Sequence, residues 1–170
     1  MRAAFATLAV RTTIPADEQL SLLPFKVGEL AGFKVAGVVP GRAVMLNDVA
    51  GDAPPAPGTG VGPHIFAAVA PGGPEQAADR DHFAREVFGN VPNLKAVRIT
   101  GSEPLRVGGA PGHQIFANAK DPSNADDLSV VQWLRFGGGG YLQLIGVART
   151  QSWRDAYPRF RTVRDAIEPR

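Results

Sequence analysis

Cysteine is absent from the 170 residues, and with it go disulfides, thiolate nucleophiles, Cys-ligated zinc and iron–sulfur clusters. Charge of one sign is also missing, because 18 Lys and Arg face 16 Asp and Glu for a formal net charge of +2. The pI of about 9.3 reflects that small surplus in a chain without Cys, and a high pI alone is weak evidence for nucleic acid. No apolar run approaches the roughly eighteen residues that cross a bilayer, since Gly, Lys or Arg break the longest stretches. A membrane-spanning domain is therefore not expected. No serine sits in a G-x-S-x-G elbow, and no glycine run ends in the Lys-Ser/Thr of a phosphate loop. No internal repeat is visible.

Apolar residues at 44% and charged residues at 20% are ordinary values for a soluble globular chain, which argues against long disorder. A chain of this length closes one core without a metal. Residues 22–170 read as a single α+β domain, after an N-terminal segment, residues 1–21, of uncertain role. Within that segment Arg2 and the apolar residues 3–10 imitate a short signal peptide, although Arg11 and Thr12 stand where a small-residue cleavage site would be expected.

Along the chain, Phe25, Val27, Phe33 and Val35 alternate over residues 22–39, and Pro40-Gly41 supplies a turn to a second strand at residues 42–49. Residues 51–63, GDAPPAPGTGVGP, offer little to bury and read as a mobile surface loop. A strand at residues 64–70 places Ile65, Ala67 and Val69 on one face and Phe66 and Ala68 on the other, so both faces are expected to be covered. A helix is then expected from Pro74 to Gly89-Asn90, with Phe83–Val87 and Ala84–Phe88 as apolar pairs and Asp81–Arg85 as an ion pair.

Strands follow at residues 95–100 and 112–119, separated by turns at Gly108-Gly109 and Pro111-Gly112. The clearest element is a hairpin of residues 128–136 and 141–149 around Gly137 to Gly140. A central Gly138-Gly139 turn sets Trp133 opposite Leu144 and Leu134 opposite Gln143. Ser152 reads as the cap of a last helix, interrupted and kinked at Pro158, whose stripe of Trp153, Tyr157, Phe160, Val163 and Ile167 belongs in the core. The pattern as a whole predicts a mostly antiparallel sheet flanked by helices.

The segments LPFKVGELAGFKV (residues 23–35), EPLRVGGAPGHQIFA (103–117) and VQWLRFGGGGYLQLIGVART (131–150) together resemble uncharacterised bacterial proteins of the PsbP-like fold superfamily. That superfamily includes the extrinsic photosystem II subunit PsbP, a Ran-binding nuclear-import protein and envelope lipoproteins of the DcrB type. The resemblance implies an α/β/α sandwich from about Leu22 to the C-terminus. It also implies a binding or assembly role in the periplasm or cell envelope, with the cytoplasm as the alternative. WLRFGGGGYL names a hairpin and no chemistry, so partners do not carry over from fold alone.

The residues that could carry chemistry are few. His64, His82 and His113 fall on a strand start, a helix and a strand without metal-ligand spacing, and a catalytic role requires convergence in space. Asp121, Asp126 and Asp127 cluster with Ser123 and Asn124. An EF-hand loop beginning at Asp121 would need other residues where Ala125, Asp126 and Gln132 stand, so a solvated turn is expected, with an irregular cation site as the alternative. GTGVGP at residues 58–63 is too loose a match for a dinucleotide loop, and no cofactor is implied.

Arg149, Arg154, Arg159, Arg161 and Arg164 form a basic C-terminal region, much of it balanced by expected pairs Arg161–Asp165 and Arg164–Glu168. Arg154 and Arg161 are the candidate contacts for an acidic macromolecular partner. Two readings follow, a binding or assembly domain that catalyses nothing and a hydrolase-like enzyme in which His64 or His113 meets a carboxylate in a pocket.

Overall fold

In the computed structural model, residues 16–48, 62–92, 94–122 and 125–169 are described. The signal-like segment at residues 2–12 and most of the expected mobile loop, residues 51–61, lie outside them.

The first elements are a short helix α1 (Ala16–Ser21) and strands β1 (Phe25–Val27), β2 (Lys34–Val39), β3 (Ala43–Asn47) and β4 (His64–Pro71). A 3-10 turn (Ala77–Asp79) then leads into helix α2 (Arg80–Gly89). Four long strands follow: β5 (Lys95–Val107), β6 (Ala110–Lys120), β7 (Asp127–Gly137) and β8 (Gly140–Arg149). A second 3-10 turn (Thr150–Ser152), helix α3 (Trp153–Asp165) and strand β9 (Ile167–Pro169) close the chain.

Every strand pair is antiparallel. The main sheet has seven strands in the order β2-β3-β4-β8-β7-β6-β5, and β1 pairs with β9 in a second, two-stranded sheet. Gly138 and Gly139 take φ of 65° and 76°, the left-handed pair that a two-residue hairpin turn requires. The register sets Trp133 opposite Leu144 and Leu134 opposite Gln143, as the sequence predicts.

Gly140 has a different reason to be glycine. A Cβ there would lie 2.6 Å from the carbonyl oxygen of Ala70 on the neighbouring β4.

Alternation along β8 sends Leu142, Leu144 and Ala148 to one face of the sheet and Ile145 and Val147 to the other, so each face buries its own cluster. On the first face Ala156, Phe160 and Val163 of α3 pack with Phe25, Phe33, Leu46 and Trp133. On the second, Ala84 and Phe88 of α2 pack with Ile115, Val130 and Leu134. The result is the expected α+β sandwich, a sheet between helical layers. Leu20 of α1 also packs against the first cluster.

Four local expectations change. Helix α2 starts at Arg80 rather than near Pro74, because Gln76 is extended, with φ −106° and ψ 141°, and Ala77–Asp79 wind as a 3-10 turn, so the α-helix cannot run back to Pro74. Strand β5 runs past residue 100 to Val107, and β6 absorbs the expected Pro111-Gly112 turn. Pro104 fits because β5 is an edge strand, where proline is tolerated, and it keeps regular register opposite His113. Ser152 makes no side-chain cap, since as the last residue of a 3-10 turn it has φ −99° and ψ −1° instead of extended cap geometry. Finally, α3 continues through Pro158, held by the buried stripe on its sheet-facing side.

Candidate functional site

A helix about 10 Å wide cannot cover seven strands spaced about 4.8 Å apart, and the ten residues of α2 span only about 15 Å. Helix α2 packs on β6 and β5, toward one edge. Among the described residues nothing covers the same face over β8, β4 and β3, where Phe66 and Ala68 are only half-buried although the sequence suggests full cover.

The opening is a groove of about 560 Å³. Its floor carries Met45, Phe66, Ile145 and Val147, and its wall is built by Val87, Val91 and Leu94 at the end of α2 and by Leu128 of β7. This size and apolar lining are those of a small-molecule site.

Three polar side chains stand inside it: His64, Asp121 and Gln143. The His64 Nδ1–H donates to the Gly62 carbonyl at 3.0 Å, which leaves Nε2 as an acceptor. Burial lowers the His64 pKa below its ordinary 6.5, against the smaller opposing effects of the Gly62 bond and the Asp121 charge, and so favours the neutral ring. Asp121 is 3% exposed, at the same end of the groove.

The orientation of Gln143 is set by a chain of amides. The Ala84 carbonyl can only accept, so Gln132 turns its NH2 toward it at 3.0 Å and offers its own oxygen to the Gln143 NH2 at 2.8 Å. Gln143 keeps Oε1 as an acceptor and the second N–H of its amide as a donor. Asn90 lies at the exposed rim, and Tyr141 is six residues along β8 from Val147, at the opposite end from His64.

The other histidines are elsewhere. His82 is exposed on α2. His113 is 3% exposed and meets Ser102 of β5 and Asp81 of α2, with Nε2 at 2.7 Å from Ser102 Oγ and 3.3 Å from Asp81 Oδ1. Ser102 also donates its hydroxyl to Asp81, which pairs with Arg85 at 3.0 Å. Burial lowers the His113 pKa despite the nearby Asp81 carboxylate.

A serine relay needs both imidazole nitrogens, one taking the serine proton and the other donating to the carboxylate. Here a single nitrogen faces both groups, and Nδ1 is buried with no hydrogen-bond partner among the described residues. The arrangement ties α2 to β5 and β6.

The three loop carboxylates part company. Asp126 meets Arg149 at 3.5 Å, Asp127 pairs with Lys120, and Asp121 enters the groove. Among the described residues no three acidic or histidine side chains gather as a metal site. Ser123 and Asn124 lie outside the described residues.

On α3, Arg159 bonds Asp48 at 2.8 Å and stacks 4.1 Å from the Phe33 ring, while Arg164 stacks 4.8 Å from the Trp133 ring. Arg164 pairs with Asp165 at 2.8 Å, in place of the expected Arg161–Asp165 and Arg164–Glu168 bonds. Adjacent residues at the end of a helix can meet when the nearer carboxylate swings back, and Asp165 is then spent on Arg164. Arg154 and Arg161 are both exposed and make no ion pair among the described residues, Arg161 lying 5.9 Å from the Tyr157 ring.

The antiparallel sheet between helical layers is the architecture of a PsbP-like fold. Cyanobacterial PsbP from Synechocystis superposes with a TM-score of 0.57 at 12% identity over 86% of this chain and 87% of its own. LpqN, involved in cell envelope biogenesis of Mycobacterium tuberculosis, gives 0.56 at 15% over 84% and 81%. A Pseudomonas aeruginosa protein of unknown function gives 0.51 at 13% over 64% and 73%. No protein-family model matches the chain, and no curated protein does. At these identities the likeness is one of fold. No described helix is long and apolar enough to cross a membrane.

The groove was not visible in the sequence. Its residues come from four strands, a helix end and the loops after α2 and β6, and the one signal was the half-polar alternation of His64, Phe66 and Ala68 on a strand otherwise apolar.

Proposed function

We propose that this protein is a non-catalytic binding module of the bacterial envelope, with residues 22–170 as its folding unit and the groove beside α2 as its ligand site. The groove carries the reading: an apolar channel of about 560 Å³ with a few fixed polar atoms at one end suits a small ligand with an apolar body. The placement of His113 supports the non-catalytic half, because its single facing nitrogen cannot both accept from Ser102 and be oriented by Asp81. The envelope assignment draws support from the fold shared with LpqN.

A specific observation favours a second contact on the opposite face. Arg154 and Arg161 present uncompensated charge on α3, which suits an acidic protein surface.

The test of the ligand site is extraction. Protein purified from its host is denatured in organic solvent and the released small molecules are identified by mass spectrometry, beside a Met45→Trp variant that fills the groove. A molecule present in the wild type and absent from the variant is expected. Equal yields from both would remove the groove from consideration, and turnover of any ester or amide lost in His113→Ala would reverse the non-catalytic reading.

A further inference from the structure

From the charge and hydrogen-bonding inventory of the groove we infer that its ligand is an uncharged amphiphile. Its head, an amide or hydroxyl that both donates and accepts, sits at Gln143, and its short apolar tail runs along β8 toward Val147. The inference rests on the groove reading above and adds the chemical class of the ligand.

Ionic heads are poorly served. Among the lining residues Asp121 is the one Asp, Glu, Lys or Arg, so no cation is present to answer a carboxylate or phosphate. Asp121 itself already has an interaction partner within the chain, which leaves an ammonium no free counter-charge. Nor does His64 supply a charge, since burial favours its neutral ring and its N–H is spent on the Gly62 carbonyl. An ion drawn into the apolar channel would lose its water with nothing to pair it, a far larger cost than burying a neutral polar group.

Neutral heads are well served. Gln143 gives one N–H to Gln132 and keeps its other N–H and its oxygen, neither of which meets a partner among the described residues. Its amide is held from behind, because the Gln132 side chain that accepts from it is anchored in turn on the Ala84 carbonyl. A head that donates and accepts completes both free positions. An ammonium has no acceptor and a carboxylate no donor, so either ion completes only one. Tyr141, two residues along β8 on the same face, adds a phenol that also does both.

The tail has a path in the other direction. Ile145 and Val147 follow Gln143 on the same face, Phe66 stands opposite Ile145 on β4, and Met45 and Leu128 border the channel. A strand rises about 3.4 Å per residue, so the stretch from Gln143 to Val147 provides about 14 Å, room for an eight-carbon chain.

Octanamide, octanoate and octylammonium share a tail and differ in the head. The experiment is calorimetric titration of the full chain with each at about pH 7, where the acid and the amine are both ionised, below the concentration at which any of them self-associates. Octanamide is expected to bind at least about tenfold more tightly than either ion. Using both ions removes the overall charge of +2 as a cause, since bulk attraction would help one and hinder the other.

Gln143→Met, which keeps the length of the side chain and removes the amide, should lower octanamide affinity about fivefold, the weight of a neutral hydrogen bond, with circular dichroism confirming the fold. Met45→Trp should abolish binding of octanamide. Either ion binding as tightly as octanamide in the wild type would overturn the neutral-head assignment while leaving the groove as a ligand site. Unchanged octanamide affinity in Gln143→Met would overturn the placement of the head. Failure of all three probes to bind would overturn the groove reading together with the inference.

Discussion

His64 and His113 are both held below their ordinary pKa of 6.5 chiefly by burial, and this fixes the sign of their linkage to stability. Between the lowered folded value and 6.5 the unfolded chain binds more protons, so acidification through that window favours unfolding. The stabilisation is full above about pH 6.5 and declines below it. Asp81, held down by hydrogen bonds from Ser102 and Arg85, and Asp48, held down by Arg159, act in a lower window, fully stabilising above their ordinary 3.8 and losing that contribution below it. A thermal melt series from pH 8 to pH 3 should therefore show two separate declines. Replacing both histidines by Gln should flatten the upper one and leave the lower one in place. A single decline confined to the region below pH 4 would show that neither ring is titrating as its burial implies.

Helix α3 and strand β8 meet where Phe160 lies over Gly146, and a Cβ at Gly146 would stand 2.7 Å from the ring carbon Cδ2. Gly146→Ala should cost about 1–3 kcal/mol by overpacking, and Phe160→Ala about 3–5 kcal/mol through the cavity it leaves. Combined with Phe160→Leu, which gives the ring space back, Gly146→Ala should cost less than the two single changes added together. Denaturant melts measure all four chains, and strict additivity would mean that the two residues do not touch.

The stripe from Trp153 to Ile167 and the register of Trp133 with Leu144 were legible in the sequence because helical spacing and a central glycine pair are local signals. The start of α2, the length of β5 and the groove were not. Each depends on which strand the chain returns to, and residue order does not state how far a ten-residue helix reaches across a sheet. His113 was identified as a candidate without its partners, since Asp81 and Ser102 approach it only after β5 and β6 pair and α2 docks on them.

At the scale of the molecule, the groove and the paired arginines lie on opposite layers, so each can be altered without the other. Arg154→Glu with Arg161→Glu should leave the melting temperature nearly unchanged, because exposed charges contribute about 0–1 kcal/mol each. The same double change should weaken capture of an acidic partner in cross-linking from the native host and leave the small-molecule content of the groove as it was. If the partner set is unchanged, the α3 face has no part in recognition. If the small molecule is lost as well, the two layers communicate through the sheet.

The pairing of β1 with β9 has a consequence for biosynthesis. Phe25 leaves the ribosome well before its strand partner, residues 167–169, has been translated. At about 5–20 residues per second the interval is on the order of ten to thirty seconds, during which the first strand has no place in its own sheet. Phe25 and Leu23, both buried in the finished protein, spend that time uncovered and open to chaperones or proteases. Completion of the two-stranded sheet thus waits for residues 167–169. A nascent chain arrested before residue 167 should be cleaved near Leu23 by a protease that spares the released protein.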